Sequence, residues 1–205
     1  MKTLDEYLVR LREVDQFQVD LAKSIMQADG GALYSEDFLY LAALNRSRSN
    51  IDAFIALLER KNFLGAIPFI RMQLDSVLRL YALLLVDDPS ALSHEILKGQ
   101  SINKKKARSG DKLHDGYLRD EVAKKEPWVK NVYESGSGFI HLSEKHIFSL
   151  FTDQEERGAF QIAIGPAQNH IDEERWIEAI AAISHITELM ISLCRGWVKR
   201  KTQRH

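Results

Sequence analysis

An all-α fold is what this sequence predicts: an antiparallel bundle of four or more long helices in a single domain over residues 1–205, with one small β-hairpin near 147–164. Three features lead there. Long stretches repeat apolar residues at three- and four-residue intervals, helix-start residues precede them, and only one place has the flanked apolar runs of a strand pair. A chain of 205 residues also suits one domain of ordinary size.

Leu4, Leu8, Leu11, Val14, Leu21 and Ile25 mark the first amphipathic helix, from Leu4 to Met26, and Gly30 and Gly31 stop it. Ser35 stands as an N-cap, with Glu36 and Asp37 in the favourable first turn, for a second helix through Leu58. Asn62 caps a third. That stretch, Phe63 to Val86, is apolar enough to raise the question of a membrane span. Arg71, Gln73, Asp75 and Arg79 in its middle argue instead for the central helix of a soluble bundle, with no membrane partner. Pro68 is expected to open or kink this helix.

Asp88-Pro89 starts a short helix to about Leu97, and the polar, basic, glycine-punctuated run from Lys98 to Asp111 reads as a mobile loop. Leu113, Tyr117, Leu118 and Val122 have helical spacing. Pro127 and Trp128 restart a helix through Val132 and Tyr133, which the run Ser135-Gly136-Ser137-Gly138 is expected to interrupt. Ile147 to Phe151 and Phe160 to Ile164 flank an acidic turn ending at Gly158 and read as the hairpin. Asp172 then caps a last helix through Trp197, apolar on most faces and therefore largely buried. No repeat of fixed period appears, which disfavours solenoids.

Hydrophobic residues make up 45% of the chain and charged ones 28%, the balance of a globular protein and not of a disordered one. The net charge of −1 does not advertise a nucleic-acid partner, but its distribution is uneven. Lys98 to Lys130 carries ten Lys/Arg against five Asp/Glu, and Arg195 to His205 five Lys/Arg and no acid, so the remainder is at −11. Cys194 is the only cysteine, which excludes an intramolecular disulfide and a Cys-rich zinc module. The opening residues do not read as a secretory signal, so a cytoplasmic location is expected.

On the second helix, Ala43, Ser47, Asn50, Phe54 and Leu57 fall in one row, and Arg46 borders it. Polar groups there must find partners, either as a structural network or as part of a site. Arg71, Asp75 and Arg79, four apart, stack on one face of the third helix, and Asp75 can bridge both guanidinium groups. A guanidinium pair fixed by one carboxylate suits a phosphate or carboxylate ligand; otherwise the row is simply a solvated face. His141, beside the glycine-serine run, is a general-base candidate or a structural histidine. The pairs His141/Glu144 and His185/Glu188 reverse the Glu-x-x-His order of di-iron bundles, and no metal site is expected.

Asn62 through Arg71, with Tyr133 through Ser143, resembles a group of bacterial helical-bundle proteins similar to the HEPN superfamily, over roughly Arg46 to Ser143. The resemblance implies a homodimeric bundle and, in many members, a metal-independent endoribonuclease of stress or phage-defence systems, without cofactors. The family's motif is an arginine, four to six intervening residues, and a histidine. Arg108 and His114 have five residues between them. For His141 the arginine positions hold Glu134, Ser135 and Gly136, just after Tyr133, so Arg71 or Arg46 must supply the cation through space. On this reading His141, Arg71 and Arg46 are catalytic, Asn50, Asp75, Arg79, Tyr133 and Ser143 bind the ligand, and the basic segments hold RNA. The alternatives are a non-catalytic bundle that captures a partner protein, or a binder of small anions.

Overall fold

The computed structural model of the protein describes residues 3–154 and 160–203, and over them the chain is all-α apart from one short strand pair. Helix α1 (Leu4–Gln27) opens on a capping box in which Thr3 and Glu6 each accept the other's backbone N–H, and a 3₁₀ turn at Asp29–Gly31 follows it. Tyr34 takes the cap position of α2 (Ser35–Glu59), and the Asp37 carboxylate accepts the Tyr34 N–H at 2.7 Å. Glu36 and Asp37 stand in the first turn, as expected, and both are fully buried.

Helix α3 (Phe63–Ala82) starts where Asn62 Oδ1 accepts the Gly65 N–H at 2.9 Å. It neither begins nor breaks at Pro68, which sits inside the helix and leaves one carbonyl without its usual donor. Asp88 caps α4 (Pro89–Leu97), and Asp172 caps α8 (Glu173–Lys201). Packing of α2 on α3, of α1 on α8 and of α3 on α8 builds the core around Phe54, Leu74, Val77, Ile183 and Met190, all fully buried. Burying one such side chain stabilises the fold by about 1.5–3 kcal/mol. Helix α8 is long and apolar enough to cross a membrane by length and composition, and 56% of its most apolar window is buried inside the molecule.

Three expectations are revised. The Lys98–Asp111 segment is pinned: Arg108 donates from its backbone to Leu85 O and from its guanidinium to Leu84 O and Val86 O, and Lys106 bridges Lys112. The glycine-serine run does not interrupt α6 (Trp128–Ile140), which continues through it. Gly136 is there for proximity, since a Cβ at that position would lie 3.0 Å from Arg71 Cβ on α3. Short helix α5 (Asp115–Ala123) packs against both α3 and α6.

Ile147 and Phe148, expected in a strand, belong to helix α7 (Glu144–Phe148), because Ser143 and His146 cap its first turn. Strands β1 (Phe151–Gln154) and β2 (Phe160–Ile162) pair antiparallel, with Phe151 opposite Ile162. Residues 155–159, and with them the end of the acidic turn at Gly158, lie outside the described residues.

Candidate functional site

Arg71, Asp75 and Arg79 occupy successive turns of α3, but Asp75 does not bridge the two arginines. Its Oδ2 accepts from Arg46 Nη1 at 3.1 Å, and its Oδ1 lies 3.5 Å from Arg79 Nε. Arg46 Nη1 also donates to Ser76 Oγ at 3.2 Å. The bridge between Arg71 and Arg79 is Asp115, the first residue of α5: its Oδ1 accepts from Arg79 Nη2, and its Oδ2 faces Arg71 Nη2 at 3.7 Å. Arg71 is only 7% exposed, and its guanidinium lies 4.0 Å over the Tyr133 ring, which Arg119 also approaches at 5.2 Å. This cation–π contact holds the Arg71 plane against α6.

Three guanidinium groups thus face two carboxylates, an excess of one positive charge over Arg46, Arg71, Arg79, Asp75 and Asp115. Two of their nitrogens, Arg71 Nε and Arg79 Nη1, are buried without an acceptor among the described residues. A buried guanidinium N–H left unpaired costs about 1–3 kcal/mol or more, so this cluster is incomplete as it stands. Beside it opens a cavity of about 240 Å³, walled by Leu39, Ala43, Leu80, Ile96 and Ile102, with Arg46, Ser76 and Arg79 on its polar side. Cations at one end of an apolar recess suit an anion with a small apolar body.

Asn50 is buried elsewhere, in a neutral network. Its amide donates to Gln73 Oε1 at 3.2 Å, and Gln73 Nε2 donates to Ser47 and, at 2.9 Å, to Thr187. That set is closed and joins α2, α3 and α8. His141 is exposed at the C-terminal cap of α6, and no hydrogen bond or ion pair among the described residues links it to Arg46, Asn50, Arg71 or Asp75. Ser143 accepts from the Lys145 N–H and donates to Gly138 O, both local capping contacts. Of the other pair, Arg108 is engaged with backbone carbonyls, and His114 Nδ1 accepts the Tyr117 N–H as the cap of α5.

Sequence reasoning brought Arg46, Arg71, Asp75, Arg79 and Tyr133 to notice and missed Asp115, Ser76 and Arg119. Asp115 had one signal available, an acid in the first turn of a helix directly after its cap His114. Among the described residues no group of three or more His, Cys, Asp or Glu side chains could hold a metal ion. Burial pushes the Cys194 thiol up to about 12, so it is not a thiolate nucleophile at neutral pH. No protein-family model, no curated protein and no solved structure matches the chain.

Proposed function

We propose that the protein binds a small organic anion, its phosphate or carboxylate head held by Arg46 and Arg79 and its apolar body lodged in the adjoining 240 Å³ cavity. The observation that carries this reading is Arg79 Nη1, a buried cationic donor without an acceptor among the described residues, on a residue that lines a cavity. Asp75 and Asp115 fix the guanidinium orientations before a ligand arrives, which lowers the ordering cost of binding. Arg71 acts through Asp115 as a positioning residue. We read the four long helices as an antiparallel bundle that gives this cluster a rigid support.

Titration calorimetry with phenyl phosphate, benzoate and phenol tests the proposal. Both anions bind the wild-type protein, phenol binds at least ~10-fold more weakly, and Arg79→Met removes the difference. Equal binding of phenol and the anions, or anion binding that survives Arg79→Met, overturns it.

An RNA-directed, HEPN-like action is the second reading, favoured by one observation: the basic Lys98–Lys130 segment supplies both Ile102 of the cavity wall and Asp115 of the cluster. It requires His141 to act from outside the cluster. RNA cleavage that persists in chelator and is lost in His141→Ala supports it; absence of RNA binding at low salt rejects it.

A further inference from the structure

A second, larger cavity of about 520 Å³ lies where α3, α6, α7 and the start of α8 meet, apart from the arginine cluster. Its walls are apolar, among them Phe63, Ile67, Phe139, Ala179 and Ala182. Phe63 is held edge-on by Phe139 at 6.2 Å and by Trp176 at 5.0 Å, so this wall has a fixed shape. Its polar lining residues are Ser135, Lys145, Ser149, His170, Arg175 and Glu178, of which Lys145 and Arg175 carry positive charge. Lys145 stands 5.0 Å from the Phe139 ring centroid and donates to Ser135 O at 2.8 Å, which leaves two of its three N–H directions for another acceptor. Arg175 pairs with Glu178 at 3.6 Å at the same cavity, so the three charges sum to one positive. His170, also in the lining, has its Nε2 buried with no partner among the described residues.

An apolar chamber with one net cation and an unpartnered imidazole nitrogen matches one kind of occupant. We propose that this cavity binds an amphiphile with a single anionic head: the apolar chain lies along Phe63, Phe139 and Ala182, and the head pairs with Lys145 and Arg175. Phe148, at once lining the cavity and 69% exposed, leads from solvent into the chamber. The neighbouring α6–α7 segment exposes further apolar side chains, Ile140, Leu142 and Ile147, over which an alkyl chain passes at little cost in hydration. Gly136 belongs to this lining and also abuts Arg71 on α3, while the two cavities have no lining residue in common.

Titrations of the full chain with decanoate, decyl phosphate and decanol test the proposal. One or both anions bind at least ~10-fold more tightly than decanol, and which of them binds tighter identifies the head as carboxylate or phosphate. Lys145→Met combined with Arg175→Met brings the anions down to the level of decanol, whereas Ala182→Trp, which fills the chamber, removes all three. Arg79→Met leaves these affinities unchanged, which separates this cavity from the arginine site. Failure of every probe to bind overturns the proposal, as does equal binding of decanol and the anions. So does anion binding that survives the Lys145/Arg175 change, a solvent-edge substitution that tests the claim even where Ala182→Trp disturbs folding. Sealing of the cavity in a dimer that excludes the probes counts among the failures.

Discussion

Two sets of paired charge in this molecule, one fully buried and one mostly half-exposed, are built to different standards. Asp37 on α2 and Lys201 on α8 are both shut away from solvent and pair at 2.8 Å. Every strong contact around them is supplied: Lys201 Nζ also donates to Ile25 O at 2.7 Å, and Asp37 accepts from Trp197 Nε1 and from the Tyr34 N–H, each at 2.7 Å. The Arg46–Arg71–Arg79 cluster shares two carboxylates among three cations and leaves two guanidinium nitrogens unmatched among the described residues, one of them on Arg79, which lines a cavity. A buried charge kept for the fold is completed by the fold. A charge cluster at the edge of open space, left with unmatched donors, is available to something else.

The sharpest way to break the comparison is to strip a charge from each set and weigh the losses. Lys201→Met leaves the Asp37 carboxylate buried without its cation and should destabilise the protein by about 3–5 kcal/mol in urea unfolding. Arg71→Met should cost less, about 1–2 kcal/mol, because Asp115 keeps Arg79 as partner; the loss is of the Tyr133 contact and one weak pair. If the two substitutions cost the same, the arginine cluster is as structural as the Asp37–Lys201 pair.

Smaller changes refine the contrast. Gly136→Ala gains helix propensity but forces its Cβ to 3.0 Å from the immobile Arg71 Cβ, so a net loss of about 1 kcal/mol is expected, with weaker anion binding as Arg71 shifts. Gln18 is fully buried with neither amide atom partnered among the described residues, yet it carries no charge. Gln18→Leu should therefore stabilise the fold, by about 1 kcal/mol in the same unfolding measurement. At high pH the buried Cys194 thiol, raised from 9.0 to about 12, and the Tyr40 phenol, also raised by burial, stay neutral in the fold while the unfolded chain ionises. Stability is thus complete below the unfolded values and falls as pH climbs toward the folded ones, seen as a lower urea midpoint at about pH 10.5 than at pH 7. Across pH 7–8 a thiol reagent should not modify Cys194 in the folded protein.

Helix starts were the most legible part of the sequence, because a cap is a local event: Asn62, Asp88 and Asp172 each accept the N–H three residues on, although at α2 the cap is Tyr34 and not the expected Ser35, which is the first helical residue. Pro68 and the Gly136 run misled for one reason. Both are breakers in an isolated helix, and here the packing of α3 against its neighbours overrides them. In the site, the α3 row of Arg71, Asp75 and Arg79 followed from periodicity alone, as did the presence of polar Asn50 and Ser47 on a buried face. Which carboxylate answers which arginine did not, since Asp115 reaches Arg79 from 36 residues away. His141 looked apt by residue type, but the chain leaves α6 at that point and carries it to the surface.

The most direct measurement is NMR of the arginine side chains in ¹⁵N-arginine-labelled protein during titration with phenyl phosphate, with Arg46, Arg71 and Arg79 assigned by substitution. The expected result is a saturable shift of the Arg79 guanidinium signals, joined by Arg46, with the Arg79 protons slowed in exchange once they gain an acceptor. Guanidinium signals of Arg46 and Arg79 that stay fixed through the titration would contradict an anion site at this cluster.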